Sequence, residues 1–167
     1  MTPTRIIIEG CDGTGKTTLV KMLAARYGFD VCHCTGDDPK DFEFYKQTAR
    51  KMKTIWDRHT IGELIYPTVF NRKGQISTED ARLILSYAQE NDGKVLVLTA
   101  ADDVIKKRLI DRGDEDERII KNIHYINSQF VYYADMFNIP IIDTSEAKIS
   151  EIFDLLETPY DFKFIHK

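Results

Sequence analysis

An α/β fold, doubly wound around a parallel sheet of about five strands, is what this sequence predicts. Apolar β-branched runs alternate with helical patterns from one end of the chain to the other. A glycine-rich turn joins the first such run to the first helical pattern. The 167 residues are enough to enclose one apolar core without disulfide or metal staples, and no Pro/Gly/Ser-rich linker or repeat divides them. A single domain over 1–167 is the expectation.

The elements follow in order. Arg5-Ile6-Ile7-Ile8-Glu9 reads as a buried strand, and a helix is expected from Lys16 to about Tyr27. Phe29 to Cys34 reads as a second strand. Asp38-Pro39 opens a helix that runs to about Arg50, and Lys53-Thr54-Ile55-Trp56 reads as a short third strand ending at Asp57. Ser77-Thr78-Glu79-Asp80 resembles a capping box, after which Ala81, Leu83, Ile84, Leu85, Tyr87 and Ala88 carry the apolar face of a helix that stops near Asn91-Asp92-Gly93. Val95-Leu96-Val97-Leu98 has the composition of a buried strand. Helices are then expected over Asp102 to Arg112 and Glu117 to Phe137, a last strand over Ile139 to Ile142, and a closing helix over Lys148 to Leu156. Parallel strands need helices on both faces, which makes three layers, and ligands then bind where the strands end.

Composition narrows the function classes. Lys and Arg number 23 against 27 Asp and Glu, so the chain as a whole repels polyanions. The N-terminus lacks the basic start and long apolar run of a secretory signal, and no apolar stretch is long enough to span a membrane. Cys11, Cys32 and Cys34 cannot all pair and show no CxxC spacing, so reduced thiols in a cytoplasmic setting are expected. In Cys32-His33-Cys34 adjacent side chains on an extended segment point to opposite faces, and no second cluster completes a zinc site.

The chemistry is concentrated at Gly10-Cys11-Asp12-Gly13-Thr14-Gly15-Lys16-Thr17, which fits GxxxxGK[ST] between a strand and a helix. In such a P-loop the glycines let successive backbone N–H groups turn toward phosphate oxygens, helped by the positive end of the following helix. Lys16 is placed for the β- and γ-phosphates of ATP, Thr17 for a Mg²⁺ ion, and Thr18 for the α-phosphate. The loop alone does not separate kinases, GTPases and motors. No DxxG switch or NKxD reader follows downstream, which argues against a GTPase.

Phosphoryl transfer to an acceptor needs further positive charge. Asp57-Arg58-His59 follows the third strand at the edge that carries the P-loop, with Asp57 near Mg²⁺ or the acceptor and Arg58 on the acceptor phosphate. Arg108 and Arg112 share a helical face, and with Arg118 they bound a polar segment, about 108–118, suited to close as a lid.

Together these residues resemble a thymidylate kinase, within the nucleoside-monophosphate kinases and in a compact, phage-type form. Glu9-Gly10-Cys11-Asp12-Gly13-Thr14-Gly15-Lys16-Thr17-Thr18 resembles that family's EGxDGxGKTT, Asp57-Arg58-His59 its DR-aromatic motif, and Ile105 to Gly113 the entry to its lid. The resemblance implies a P-loop NTPase fold and Mg²⁺-dependent transfer from ATP to dTMP or a related pyrimidine deoxynucleotide. It also implies a homodimer. By the same resemblance Asp12 faces the acceptor sugar or metal, Arg58 holds the acceptor phosphate, and Arg108, Arg112 and Arg118 stabilise the transferred group. Gly13 stands where some members carry a basic residue, which implies reliance on the lid arginines. For the base pocket, Phe42, Phe44, Tyr45, Arg50 and Tyr66 are the candidates, with Tyr66 foremost because Glu63-Leu-Ile-Tyr66 lies where the family places a substrate-facing tyrosine. Pro67 replaces the amide expected next. Two alternatives stand beside this reading: a kinase acting on a nucleoside or on a hydroxyl of nucleic acid, suggested by the basic residues Lys46, Arg50, Lys51, Lys53, Arg58 and Arg72-Lys73, and a non-catalytic ATP-binding module.

Overall fold

In the computed structural model, which describes residues 2–114 and 116–159, five strands form one all-parallel sheet in the order β2-β3-β1-β4-β5. These are β1 (Ile6–Gly10), β2 (Asp30–His33), β3 (Thr54–Asp57), β4 (Lys94–Thr99) and β5 (Ile141–Asp143). The register pairs Ile7 with Trp56 on one side and with Val95 on the other. β1 therefore lies where the winding reverses, and the loop that leaves it opens into the crevice between diverging connections.

Alternation along the strands builds two separate apolar layers. Ile6, Ile8, Ile55, Leu96 and Leu98 face α1 (Lys16–Tyr27) and α8 (Ile149–Glu157), burying Leu19, Val20, Leu23, Ile152 and Leu156. Ile7, Trp56, Val95 and Val97 face the other side. There they meet α2 (Phe42–Ala49), α3 (Thr60–Val69), α4 (Thr78–Gln89), α5 (Asp102–Arg112), α6 (Glu117–Lys121) and α7 (Ile123–Met136). The three-layer α/β/α sandwich and its five parallel strands are as the sequence predicts. Among the described residues no helix is long and apolar enough to cross a membrane.

Several boundaries differ from expectation, each for a local reason. α2 starts at Phe42 rather than at Asp38-Pro39, because the Asp38 carboxylate is taken by Thr35, whose backbone N–H donates to it at 2.6 Å, and Asp41 is the residue that accepts from Phe44 N–H. The helix expected from Glu117 to Phe137 is broken at Asn122, where φ −110° and ψ 14° leave the helical region. β5 begins at Ile141, since Pro140 has no N–H to give and only its carbonyl joins the ladder, accepting from Val97 N–H. α3 was not expected. Its first turn takes its acceptor from a distant part of the chain: Glu9 Oε1 receives the Ile61 N–H at 2.7 Å. Pro67 sits in its last turns. The Ser77 capping box is present, with Ser77 and Asp80 satisfying each other's backbone N–H groups. Of the expected lid, Glu115 lies outside the described residues, as do Met1 and residues 160–167 of the expected domain.

Candidate active site

The loop after β1 is shaped by glycines with positive φ. Gly10 (φ 141°) passes so close to β4 that a Cβ there would lie 2.4 Å from the Leu98 carbonyl oxygen. Gly13 (φ 82°) is pressed onto α5, where a Cβ would meet the Ile105 carbonyl oxygen at 3.0 Å. Gly15 is the left-handed residue before α1. Inside this curl, Thr14 Oγ1 donates to the Cys11 carbonyl at 2.7 Å, and Lys16 Nζ donates to the carbonyls of Gly10 and Cys11, each at 2.7 Å. Burial draws the Lys16 ammonium below its ordinary pKa, while the nearby Asp57 carboxylate works in the opposite direction. The lysine is thus held at the loop it serves, next to the free N–H groups at the start of α1.

From the next residue of α1, Thr17 Oγ1 donates to Asp57 Oδ2 at 3.0 Å. A hydroxyl and a buried carboxylate at the end of β3, beside a phosphate-binding loop, are hard oxygen donors of the kind Mg²⁺ takes, and they fit that ion. His33, at the end of β2, has Nδ1 3.6 Å from the same Asp57 oxygen.

Arg58 follows directly, in a left-handed conformation (φ 70°) tied to the sheet by its N–H donating to the Ile8 carbonyl at 3.0 Å. Its guanidinium forms an ion pair with Asp12 of the P-loop, and the Tyr66 hydroxyl donates to the other Asp12 oxygen at 2.8 Å. The guanidinium carbon lies 5.7 Å from the centre of the Tyr66 ring. Four residues expected at the site, Asp12, Asp57, Arg58 and Tyr66, are therefore gathered around the P-loop from three separate stretches of chain.

Two cavities meet at Arg58. One is lined by the P-loop residues Gly13, Gly15, Lys16, Thr17 and Thr18 with His33, Asp57 and Arg112. The other is lined by Thr35, Lys40, Tyr45, Glu63, Tyr66, Phe70, Arg72 and Arg118. Arg58 and Cys34 belong to both.

The lid arginines separate. Arg112 lines the P-loop cavity and pairs with Asp114. Arg118 lines the other cavity, pairs with Asp116 at 2.8 Å and lies 4.6 Å from the centre of the Phe70 ring. Arg108 is spent differently from a lid cation: it donates to the carbonyls of Gly13 (3.3 Å) and Thr144 (3.1 Å) and to Thr144 Oγ1 (3.0 Å), strapping the P-loop to the turn after β5.

Two candidates for the base pocket lie elsewhere. Arg50 sits at the opposite edge of the sheet, over the Tyr87 ring at 3.7 Å and 4.0 Å from Glu90. Phe44 packs edge-on against Tyr45 at 5.3 Å and contributes to the core. On an eight-residue helix only one face meets the cavity, and Tyr45 occupies it. Sequence reasoning missed Glu9, His33, Glu63 and Phe70, and weighed Arg72 only as part of a basic cluster. The unexplained acidic residue inside the strand-like run Arg5 to Glu9 was the available signal for the first of these.

Glu9 deserves its place at the site through burial. It has no exposed surface, Oε2 has no hydrogen-bond partner among the described residues, and burial pushes its carboxyl up to about 7 against the pull of the backbone N–H groups of Ile61, His59 and Gly62 and of Lys16. His59, buried beside it between Thr48 and Thr60, is pushed down to about 3 by burial.

Comparison with known proteins gives the family and the fold. Residues 6–132 match the model of the family described as "ATPase family associated with various cellular activities (AAA)". A putative adenylate kinase of Methanocaldococcus jannaschii is 25% identical over 154 residues, covering 90% of this chain and 82% of that one. The SPbeta prophage-derived uncharacterized protein YorR of Bacillus subtilis is 30% identical over 118 residues, covering 67% and 71%. The crystal structure of YorR in complex with phosphorylated GDP superposes with a TM-score of 0.77 at 25% identity, covering 92% of this chain and 94% of that one. A deoxyadenosine kinase of M. mycoides with bound dCTP shares the fold at a TM-score of 0.60 and 18% identity, covering 91% and 98%. The chain belongs to the AAA family of ATPases, as a P-loop NTPase with the fold of nucleotide and nucleoside kinases.

Proposed function

We propose that this protein transfers the γ-phosphoryl group of ATP to the 5′-phosphate of a deoxynucleoside monophosphate, with dTMP or a related pyrimidine as the acceptor that the motif resemblance implies. The observation that carries the reading is the position of Arg58, which lines both the cavity of Lys16 and the P-loop and the adjoining cavity of Tyr66. Two nucleotides seated in these cavities would meet end to end at that guanidinium. The putative adenylate kinase and the nucleotide-bound YorR support a nucleotide acceptor.

In this scheme the P-loop N–H groups and Lys16 hold the β- and γ-phosphates, where their positive charge counts most as negative charge builds on the leaving ADP oxygen. Thr17 and Asp57 would hold a Mg²⁺ ion, which would supply further positive charge against the same phosphates. Arg58 exchanges the Asp12 carboxylate for the acceptor phosphate, whose oxygen attacks the γ-phosphorus as the bond to the β,γ-bridging oxygen breaks. Asp12, released and still bonded to the Tyr66 hydroxyl, is left at the acceptor side to receive a sugar hydroxyl. Arg112, on the P-loop cavity, stabilises the transferred group, and Arg118 closes over the acceptor.

The test is ADP release coupled to a reporter reaction, with ATP, Mg²⁺ and a panel of ribo- and deoxynucleoside monophosphates, nucleosides and a 5′-hydroxyl oligonucleotide. Turnover stimulated by a monophosphate is the expected result; stimulation by the nucleosides or the oligonucleotide alone, or by nothing, refutes the reading. The three cysteines, all unpaired, accord with a reducing cytoplasmic setting. The homodimer implied by the resemblance is checked by light scattering.

A further inference from the structure

The acceptor cavity contains an ion pair that the proposed transfer does not use. Glu63, on the first turns of α3, has a side chain only 1% exposed. It accepts from both terminal nitrogens of Arg72, at 2.7 and 2.6 Å, and from the Gln75 N–H at 3.2 Å. The carboxylate is therefore fully committed, and it fixes the guanidinium through its end-on edge. Nη1 has one further contact, to the Lys73 carbonyl at 3.5 Å. The remaining side edge of Arg72, Nε–H with the second Nη2–H, has no acceptor among the described residues, and the side chain is one third exposed where it lines the cavity.

Its neighbours there are flat. The rings of Tyr66 and Phe70 lie nearly parallel, 13° apart with centres 5.7 Å from each other. Such surfaces receive the face of a base. A neutralised, rigid guanidinium beside them is poorly suited to holding a phosphate and well suited to reading an edge, because its two parallel donors are fixed in direction.

We infer that Arg72, locked by Glu63, reads the base of the acceptor nucleotide, and that it selects bases presenting two adjacent acceptors: O6 and N7 of guanine or N3 and O2 of cytosine. Thymine places its N3–H between O2 and O4, and adenine sets its amino group beside N7, so each turns one donor toward a donor. The inference rests on the proposed phosphotransfer and narrows its pyrimidine to cytosine while admitting guanine.

The experiment measures kcat/KM for dGMP, dCMP, dTMP and dAMP, and in parallel their equilibrium binding, in the unaltered protein and in two variants. Arg72→Met removes the reader, and the double variant Glu63→Gln with Arg72→Met removes it without leaving a buried charge alone; thermal unfolding checks that each folds. The expected result is a preference of about tenfold or more for dGMP or dCMP over dTMP and dAMP. Both variants should level that ranking, and whichever of dGMP and dCMP leads names the base. A ranking led by dTMP or dAMP, or a folded double variant that keeps the original ranking, overturns the inference. Failure of all four to turn over strikes the proposed reaction instead, and the binding ranking then still decides the base reader by the same criteria.

Discussion

The two sides of the cleft are built in different ways. The side proposed for ATP is one continuous stretch, Gly10 to Thr18, whose Gly10 and Gly13 are pinned against Leu98 and Ile105. The side proposed for the acceptor is assembled from the P-loop, the segment after β2, the end of β3, α3 and the start of α6, and its groups are side chains already bonded to one another: Arg58 to Asp12, Tyr66 to Asp12, Arg72 to Glu63, Arg118 to Asp116. A phosphate cradle made of backbone can be read from nine residues and is general. A pocket made of paired side chains is specific: a ligand at Arg58 takes the place of Asp12, whereas Arg72 stays held by Glu63 and keeps one edge open.

That contrast can be broken most sharply at Lys16. Lys16→Ala should lower kcat on the order of 10²–10³-fold for every acceptor, because the charge acts on the group common to all of them. Steady-state kinetics with two acceptors checks it, and a loss confined to one acceptor would erase the distinction between the two sides. Next in size, Arg58→Ala should lower kcat/KM for the acceptor by well over about tenfold while ATP binding, followed by calorimetry, stays within about twofold. Equal losses on both ligands would show that Arg58 serves the donor.

Asp57→Asn keeps the shape but removes the charge opposite Thr17, and the Mg²⁺ concentration for half-maximal rate should rise by about tenfold. The smallest effect concerns stability. The Glu9 carboxyl, raised to about 7 by burial, keeps in the native state a proton that the unfolded chain loses near its ordinary value of 4.5. Stability from this group is therefore present at low pH, falls as pH rises from about 4.5 to 7, and is level above that. Glu9→Gln should remove that slope, gaining on the unaltered protein by about 2–3 kcal/mol between pH 5 and 8 in urea melts. His59 slopes the other way, since its depressed pKa makes the native state resist protonation as pH falls below 6.5. An unchanged pH profile in Glu9→Gln would show that the carboxyl is ionised where it caps α3.

Much of the fold was legible because its signals are local. The β-branched runs at Ile6 to Ile8 and Val95 to Leu98, the cap at Ser77 and the glycines of the P-loop each act within a few residues. What escaped depended on distant partners. α3 has a proline near its end and borrows its first acceptor from Glu9, 52 positions earlier, so nothing in its own sequence announces it. Asp38-Pro39 looks like a helix start, but Thr35 claims the aspartate first. Arg50 and Phe44 lie outside the cavity for a related reason: on α2 and at its C-cap a single turn decides whether a side chain meets the cleft, the core or the far edge of the sheet, and the packing of α2 against α4 makes that choice.

By itself, then, the order of residues determined the alternation of strands and helices, the phosphate-binding turn, and the presence of an aspartate and arginine at a strand end. Each follows from interactions between near neighbours. Only the tertiary structure decided which arginines face which cavity, that Arg108 straps the P-loop to Thr144, and that Glu63 holds Arg72 in the cavity of Tyr66 and Phe70. Charged side chains choose partners by distance through space, and that distance exists only once the sheet has brought its strand ends to a common edge.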